Sequence, residues 1–360
     1  MILIWYVTRR FLATFCFSIV AMCLLFVVID LFEHLDVFLK RHVAFMDAVW
    51  YYLVFLPYMI KLLIPVSSLL AALFSVGRLA TSNELTAMRA GGMSFTRFLL
   101  PFIMLAAMIS AFQLWFDGWV VPRANTAKLT IERSALKQTG QNTLSDLRFR
   151  DHSTRNISIA YYNEEKKVAQ HVVVEEFGDA IHPRLLWKLE AAQMRWDDKR
   201  GWIADSVRKR SFDSSGQRIE WLYNTTIPFS IRHEQIRKLQ LTPDELTFDE
   251  IPSYIATQRS GGKDTRRQEI EYYAGWSFPF ANIIVVFIAV PFAAVRRKGG
   301  IAMNIAAAMV VAFTYIIGME VIKAVGGATM ADPLIIGWLA NVLFAVIALV
   351  GYGLFRRRAL

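Results

Sequence analysis

Six stretches of this chain are each long and apolar enough to cross a bilayer, which takes about 20 helical residues. They fall near 11–33, 49–79, 97–121, 274–295, 301–324 and 334–355. In hydrocarbon every backbone N–H and C=O must find an internal partner, so such stretches are confined to helices. Between the third and the fourth lies a polar insert, roughly 122–272. The chain therefore divides into helices one to three (1–121), an inserted domain (122–272) and helices four to six (273–360). Composition agrees. The chain is 55% hydrophobic with a mean hydropathy of +0.36, against about 45–50% apolar for soluble domains, and the excess sits at its two ends.

The net charge of +10 does not point to nucleic acid, because much of the basic excess borders apolar segments. Arg9 and Arg10 precede span one, while Arg78, Arg89 and Arg97 flank the link between spans two and three. Arg296, Arg297 and Lys298 join spans four and five, and Arg356, Arg357 and Arg358 follow span six. With six spans all four clusters fall on one side, which the positive-inside bias assigns to the cytoplasm. The insert then faces outward, and Lys40 and Arg41 in the first external loop are the exceptions. No A-x-A-like cleavage site follows the first apolar run at the expected distance, so an uncleaved first span is expected. Cys16 and Cys23 lie seven apart in that span, too far along a helix for a disulfide.

The insert reads as β-rich. Segments 156–162, 168–177, 185–196, 202–212 and 218–231 carry β-branched and aromatic residues, often alternating with polar ones. Turn-forming clusters such as Asp197-Asp198-Lys199-Arg200-Gly201 separate them. This spacing predicts a sandwich or jelly roll. Two helix starts follow: Thr242-Pro243-Asp244-Glu245 and Thr247-Phe248-Asp249-Glu250, each with the Thr-x-x-Glu spacing of a capping box.

No catalytic motif stands out. Gly261-Gly262-Lys263 is followed by Asp264 and lacks the spacing of a P-loop, and HExxH, GxSxG and CxxC are absent. The six histidines are scattered without metal-ligand spacing. The chain is therefore read as non-catalytic, with no cofactor of its own.

One polar link is informative: Ser82-Asn83-Glu84-Leu85-Thr86-Ala87-Met88-Arg89-Ala90-Gly91-Gly92. Ser82 or Asn83 can cap a helix, Glu84 suits its positive N-terminal end, and the glycines can end it. About two turns are expected near 82–91. Leu85 and Met88 are three apart and share a face, an apolar ridge beside the Glu84 carboxylate.

Charges within the spans cost about 2.5–3.5 kcal/mol each at the bilayer centre on insertion scales. Span one carries Asp30, Glu33, His34 and Asp36, and span two carries Lys61. Two readings fit: an Asp30–Lys61 ion pair locking neighbouring helices, or Lys61 facing a cavity that admits an anionic substrate. Glu320 and Lys323 are three apart in span five and can pair with each other.

The full pattern resembles the lipopolysaccharide-export permease family LptF/LptG. The resemblance rests on the three-plus-three architecture around a β insert and on Ile4-Trp5-Tyr6-Val7. It also rests on Pro65 running to Gly77-Arg78-Leu79, and on Asn83 to Gly92, which is similar to the family's S-E-hydrophobic-x-x-M-x-A-x-G signature. Asn83 stands where Ser is commoner. The glycine-bounded end of the TPDEL helix and its loop look slightly closer to the LptG branch.

The resemblance implies an inner-membrane permease subunit with a periplasmic β-jelly-roll-like domain. Such permeases pair as an LptF–LptG-type heterodimer with a cytoplasmic, LptB-like ATPase dimer. They pass lipopolysaccharide to LptC/LptA-like periplasmic bridge proteins, and ATP and Mg are bound by the ATPase. It assigns Asn83, Glu84, Leu85, Met88 and Arg89 to a coupling helix. Lys40 and Arg41 match the basic residues that meet lipid phosphates, and Lys61, Arg133 and Lys323 are added as further phosphate contacts without a positional match. Two rival classes are an ion-coupled secondary transporter using Asp30, Glu33 and Lys61, and a membrane-anchored assembly or sensor protein.

Overall fold

The computed structural model describes residues 2–40, 44–132, 143–152, 154–163, 166–178, 184–213, 216–227, 236, 242–260, 263–294 and 300–359. The chain forms two compact units, Met1–Leu136 with Arg266–Leu360, and Lys137–Thr265.

The first unit is helical. Its elements are α1 (Ile2–Lys40), α2 (Phe45–Thr81), α3 (Glu84–Ala90), α4 (Phe95–Trp115), a π turn (Phe116–Val120) and α5 (Val121–Ile131). After the insert come α7 (Arg266–Ser277), a 3-10 turn (Phe278–Phe280), α8 (Ala281–Ala294), α9 (Gly300–Ala328) and α10 (Pro333–Ala359). Six helical stretches can cross a membrane: Ile4–Asp36, Phe45–Thr81, Phe95–Ile131, Arg266–Ala294, Met309–Ala328 and Pro333–Gly353. Span three outruns its apolar pattern. The π turn and α5 carry it on through Pro122, whose ring offers no N–H to the preceding turn.

α2 lies at the centre. Ile64, Leu69, Ala71, Ala72, Leu73 and Val76 are buried against Phe11 of α1, Phe98 and Phe102 of α4, and Val285, Val286 and Ala289 of α8. A second cluster joins α8 to α9 and α10 through Phe278, Ile284, Tyr315 and Phe344. Gly337 of α10 meets α7 so closely that a Cβ there would lie 2.6 Å from Tyr273 Cβ and 2.8 Å from Ala274 N.

The second unit is the β insert. Strands β1 (Thr143–His152), β2 (Arg155–Asn163), β3 (Val168–Phe177), β4 (Leu185–Asp197), β5 (Gly201–Asp213) and β6 (Gly216–Ile227) form one antiparallel sheet in the order β1-β2-β3-β4-β5-β6. β1 was not among the predicted strands. Its Asp146, Arg148, Arg150 and Asp151 dilute the apolar alternation. The described strands run as a consecutive antiparallel meander. Residues 228–231 of the last predicted strand lie outside the described residues.

A meander can still enclose a core if it bends. Each central strand carries a three-residue step between buried side chains: Ile159 to Tyr162, Ala169 to Val172, Ala191 to Met194, and Ala204 to Val207. The steps align. Ile159, Val172, Ala191 and Val207 pair in one row, and Tyr162, Ala169, Met194 and Ala204 in the next. An irregularity of this kind resets which residues point inward and bends the strand. His171 and Asn224 carry positive φ (50° and 48°), the backbone signature of such kinks. The rows on both sides then line one core, where Tyr162 and Trp202 meet edge to face at 6.1 Å.

The predicted helix starts are present. Glu245 accepts from Thr242 N (3.1 Å) and Oγ1 (3.2 Å), opening a 3-10 turn (Pro243–Glu245). Glu250 does the same for Thr247 (3.2 and 3.1 Å) before α6 (Ile251–Ser260).

Candidate functional site

Two places in the helical unit concentrate polar chemistry. The first is α3. Its C-terminus is a Schellman motif, since Gly92 N donates to Arg89 O (3.0 Å) and Met93 N to Met88 O (3.1 Å). Gly92 carries the positive φ of 85° that this closure requires. The N-terminus departs from expectation. Asn83 is left-handed (φ 61°) and makes no side-chain cap hydrogen bond, because a capping residue needs an extended backbone. Its role is to turn the chain from α2 into α3 within two residues. Ser82 Oγ instead lies 2.9 Å from both Glu84 Oε1 and Arg78 O.

Glu84 faces the chain's own first helix. Its Oε1 lies 3.8 Å from Arg10 and 3.5 Å from the Tyr6 hydroxyl, and the Arg10 guanidinium stacks on Tyr6 at 4.5 Å. Leu85 is buried in the helical core and Met88 packs half-buried against it. The expected ridge therefore anchors α3 to its own bundle. The surface left outward consists of Asn83, Thr86, Ala87, Arg89 and Ala90.

The second place is a buried polar chain linking α2, α4 and α8. Ser68 Oγ donates to Asn282 Oδ1 (3.3 Å), and Asn282 Nδ2 donates to Gln113 Oε1 (2.7 Å). Gln113 Nε2 lies within donating distance of the Asp117 carboxylate (3.2 Å) and of Lys61 O (3.1 Å). Ser68, Gln113 and Asn282 are fully buried and Asp117 is 2% exposed. Of the two readings for Lys61, the Asp30–Lys61 ion pair is not among the ion pairs of the described residues. His34 Nδ1 lies 3.0 Å from Asp30 O and 3.4 Å from its carboxylate, while the Lys61 backbone carbonyl and the Asp117 carboxylate share the Gln113 amide. Sequence reasoning missed Asp117, although the cost argument applied to Asp30 and Lys61 would have found it inside span three.

The remaining predicted residues are dispersed. Lys40 ends α1 and is exposed. Lys323 pairs with Glu320 at 2.5 Å, as their spacing predicts. Arg41 and Arg133 lie outside the described residues.

Six membrane-crossing helices with a β domain inserted after the third define a multi-pass membrane protein. The chain matches the family model "Lipopolysaccharide export system permease LptF/LptG" over residues 5–357. It belongs to that family, a permease component of the lipopolysaccharide export system. Among similar proteins are the lipopolysaccharide export system permease protein LptG of Escherichia coli strain K12 and its namesake in E. coli O6:H1 strain CFT073. Each is 20% identical over 258 residues, covering 67% of this chain and 67% of the relative.

Proposed function

We propose that this chain is an LptG-type subunit of an inner-membrane transporter that extracts lipopolysaccharide and passes it to a periplasmic bridge of β-domain proteins. A paralogous permease completes the transport path, and a cytoplasmic ATPase dimer supplies the energy. The observation that carries this reading is the family match across 5–357 on a bundle that displays α3 between spans two and three.

α3 is the coupling helix. Leu85 and Met88 fasten it to the bundle, so a push on its outward residues moves α2 and α4 rather than a loop. Ala87 and Arg89 offer contacts to the ATPase, and Glu84 holds the helix against Arg10. Lys40 and Lys61 are cations placed to meet lipid phosphates, with Arg41, Arg133 and, once released from Glu320, Lys323 as further contacts. The β insert, with its apolar inner rows, receives acyl chains on the periplasmic side.

Two variants test the coupling. Ala87→Trp places bulk on the outward face and is expected to abolish co-purification with the ATPase, while the permease still purifies as a folded, monodisperse protein. Glu84→Ala is expected to weaken ATP-driven export without loss of folding. Full ATPase association and full export in both variants would overturn the assignment of α3. Export that needs no ATPase would favour the secondary-transporter class.

A further inference from the structure

The Asp117 carboxylate poses a problem that the proposed function leaves open. It lies inside a membrane span on the π turn between α4 and α5, 2% exposed. One oxygen, Oδ2, is engaged by Gln113, and the other, Oδ1, is buried with no hydrogen-bond partner. A buried carboxylate left half-satisfied is costly, and proteins keep one where a cation or a functional exchange compensates it. π turns inside α-helices recur at such sites.

Lys61 is the cation tied to this site. The Gln113 amide reaches both its backbone carbonyl and the Asp117 carboxylate, so the two residues are fixed to one side chain. Yet no Lys61–Asp117 salt bridge within 4 Å is formed among the described residues, and the Lys61 side chain is only half-buried. Next to it Leu62 is 46% exposed on a span surface. A lysine stem has four rotatable carbons, so its ammonium can move by several ångströms while its backbone stays clamped.

We propose that Asp117 is the internal counter-ion of Lys61, a positioning residue that holds the ammonium inward on Oδ1 until a lipid phosphate draws it outward. The competing ligand is the phosphate of an anionic lipid headgroup. This rests on the transport reading in one respect only, the identity of that lipid. The chain from Gln113 to Asn282 and Ser68 keeps the carboxylate rigid, so the exchange moves one side chain and leaves spans two, three and four in place.

The test places a photoreactive residue at position 62 in the full chain with its partners. The complex is reconstituted in vesicles holding either phosphatidylglycerol or lipopolysaccharide as the only phosphate-rich anionic lipid. Asp117→Asn is expected to raise lipid adduct yield about fivefold, which corresponds to a coupling of about 1 kcal/mol. Lys61→Gln is expected to remove the adducts, and the double variant to match Lys61→Gln alone. Unchanged yield in Asp117→Asn, or independent effects that multiply in the double variant, would overturn the pairing. If Asp117→Asn alone fails to accumulate, recovery in the double variant supports the pair, and no recovery overturns it. Adducts to phosphatidylglycerol but not lipopolysaccharide would leave the pair standing and count against the transport reading.

Discussion

Spans one and two differ in a way opposite to a soluble protein. Span one, Ile4–Asp36, is the most apolar of the six by mean hydropathy, yet 11% of its most apolar stretch is buried inside the chain. Span two, Phe45–Thr81, is less apolar and 67% buried, as is span four. In a bilayer, apolarity tracks contact with lipid or a partner, while packed helices use small and polar residues that let backbones approach. Span two buries Ser67, Ser68, Ala71, Ala72, Ser75 and Gly77. Span one instead exposes Phe17, Val20, Leu24 and Phe32. Span five is nearly as uncovered as span one, with 17% buried, although it is the least apolar of the six, so hydropathy alone does not set exposure. The packed part of the bundle is thus built around spans two and four, and spans one and five leave most of their surface uncovered by this chain.

Substitutions can break this contrast. The largest effect is expected at Gly337, where a side chain would collide with Tyr273 and Ala274. Gly337→Val should cost about 3 kcal/mol or more, lowering the thermal unfolding midpoint in detergent, whereas Gly327→Val, with open space around its Cβ, should not. Next comes overpacking of span two. Ala72 is fully buried, so Ala72→Leu should cost about 1–3 kcal/mol. Leu24→Ala on the exposed face of span one should stay within about 0.5 kcal/mol by the same assay. Equal costs at the two positions would refute the contrast.

A smaller effect is expected at the link. Gly92→Ala forces a left-handed conformation on a residue with a Cβ, costing about 1 kcal/mol. Its check is faster proteolysis between α3 and α4. The smallest effect lies in the β insert. The Arg208 hydrogen bond, with Arg210 and Lys188 nearby, holds the Glu190 carboxyl below its usual range. A depressed carboxyl stabilises the fold above the unfolded-state value near ~4.3, and that contribution disappears as pH falls through the native value. Glu190→Gln should therefore cost under about 1 kcal/mol at neutral pH and flatten the acid side of the stability profile.

Much of this was legible in the sequence, for physical reasons. The six spans follow from length and apolarity alone, and five of the six described strands from alternation. The capping boxes are local, so their four-residue spacing sufficed. What escaped depends on tertiary placement. Asn83 has the chemistry of a cap, but the tight turn from α2 forces it left-handed. Leu85 and Met88 form the expected shared face, yet periodicity cannot say whether that face meets a partner or the chain itself. Depth in the bilayer brings Asp30 and Lys61 together, but depth does not fix which side of a helix a charge occupies. The aligned three-residue steps that bend the β-sheet are visible only once the register joins them.

In the proposed mechanism α3 passes the force of ATP hydrolysis into the packed spans. Its most direct measurement is lipopolysaccharide transfer to a periplasmic acceptor β domain from vesicles containing this chain, its partner permease and the ATPase. Transfer should require ATP, and Ala87→Trp should abolish it while leaving the permease pair intact. Transfer that proceeds at the same rate without ATP, or that Ala87→Trp leaves unchanged, would contradict the account.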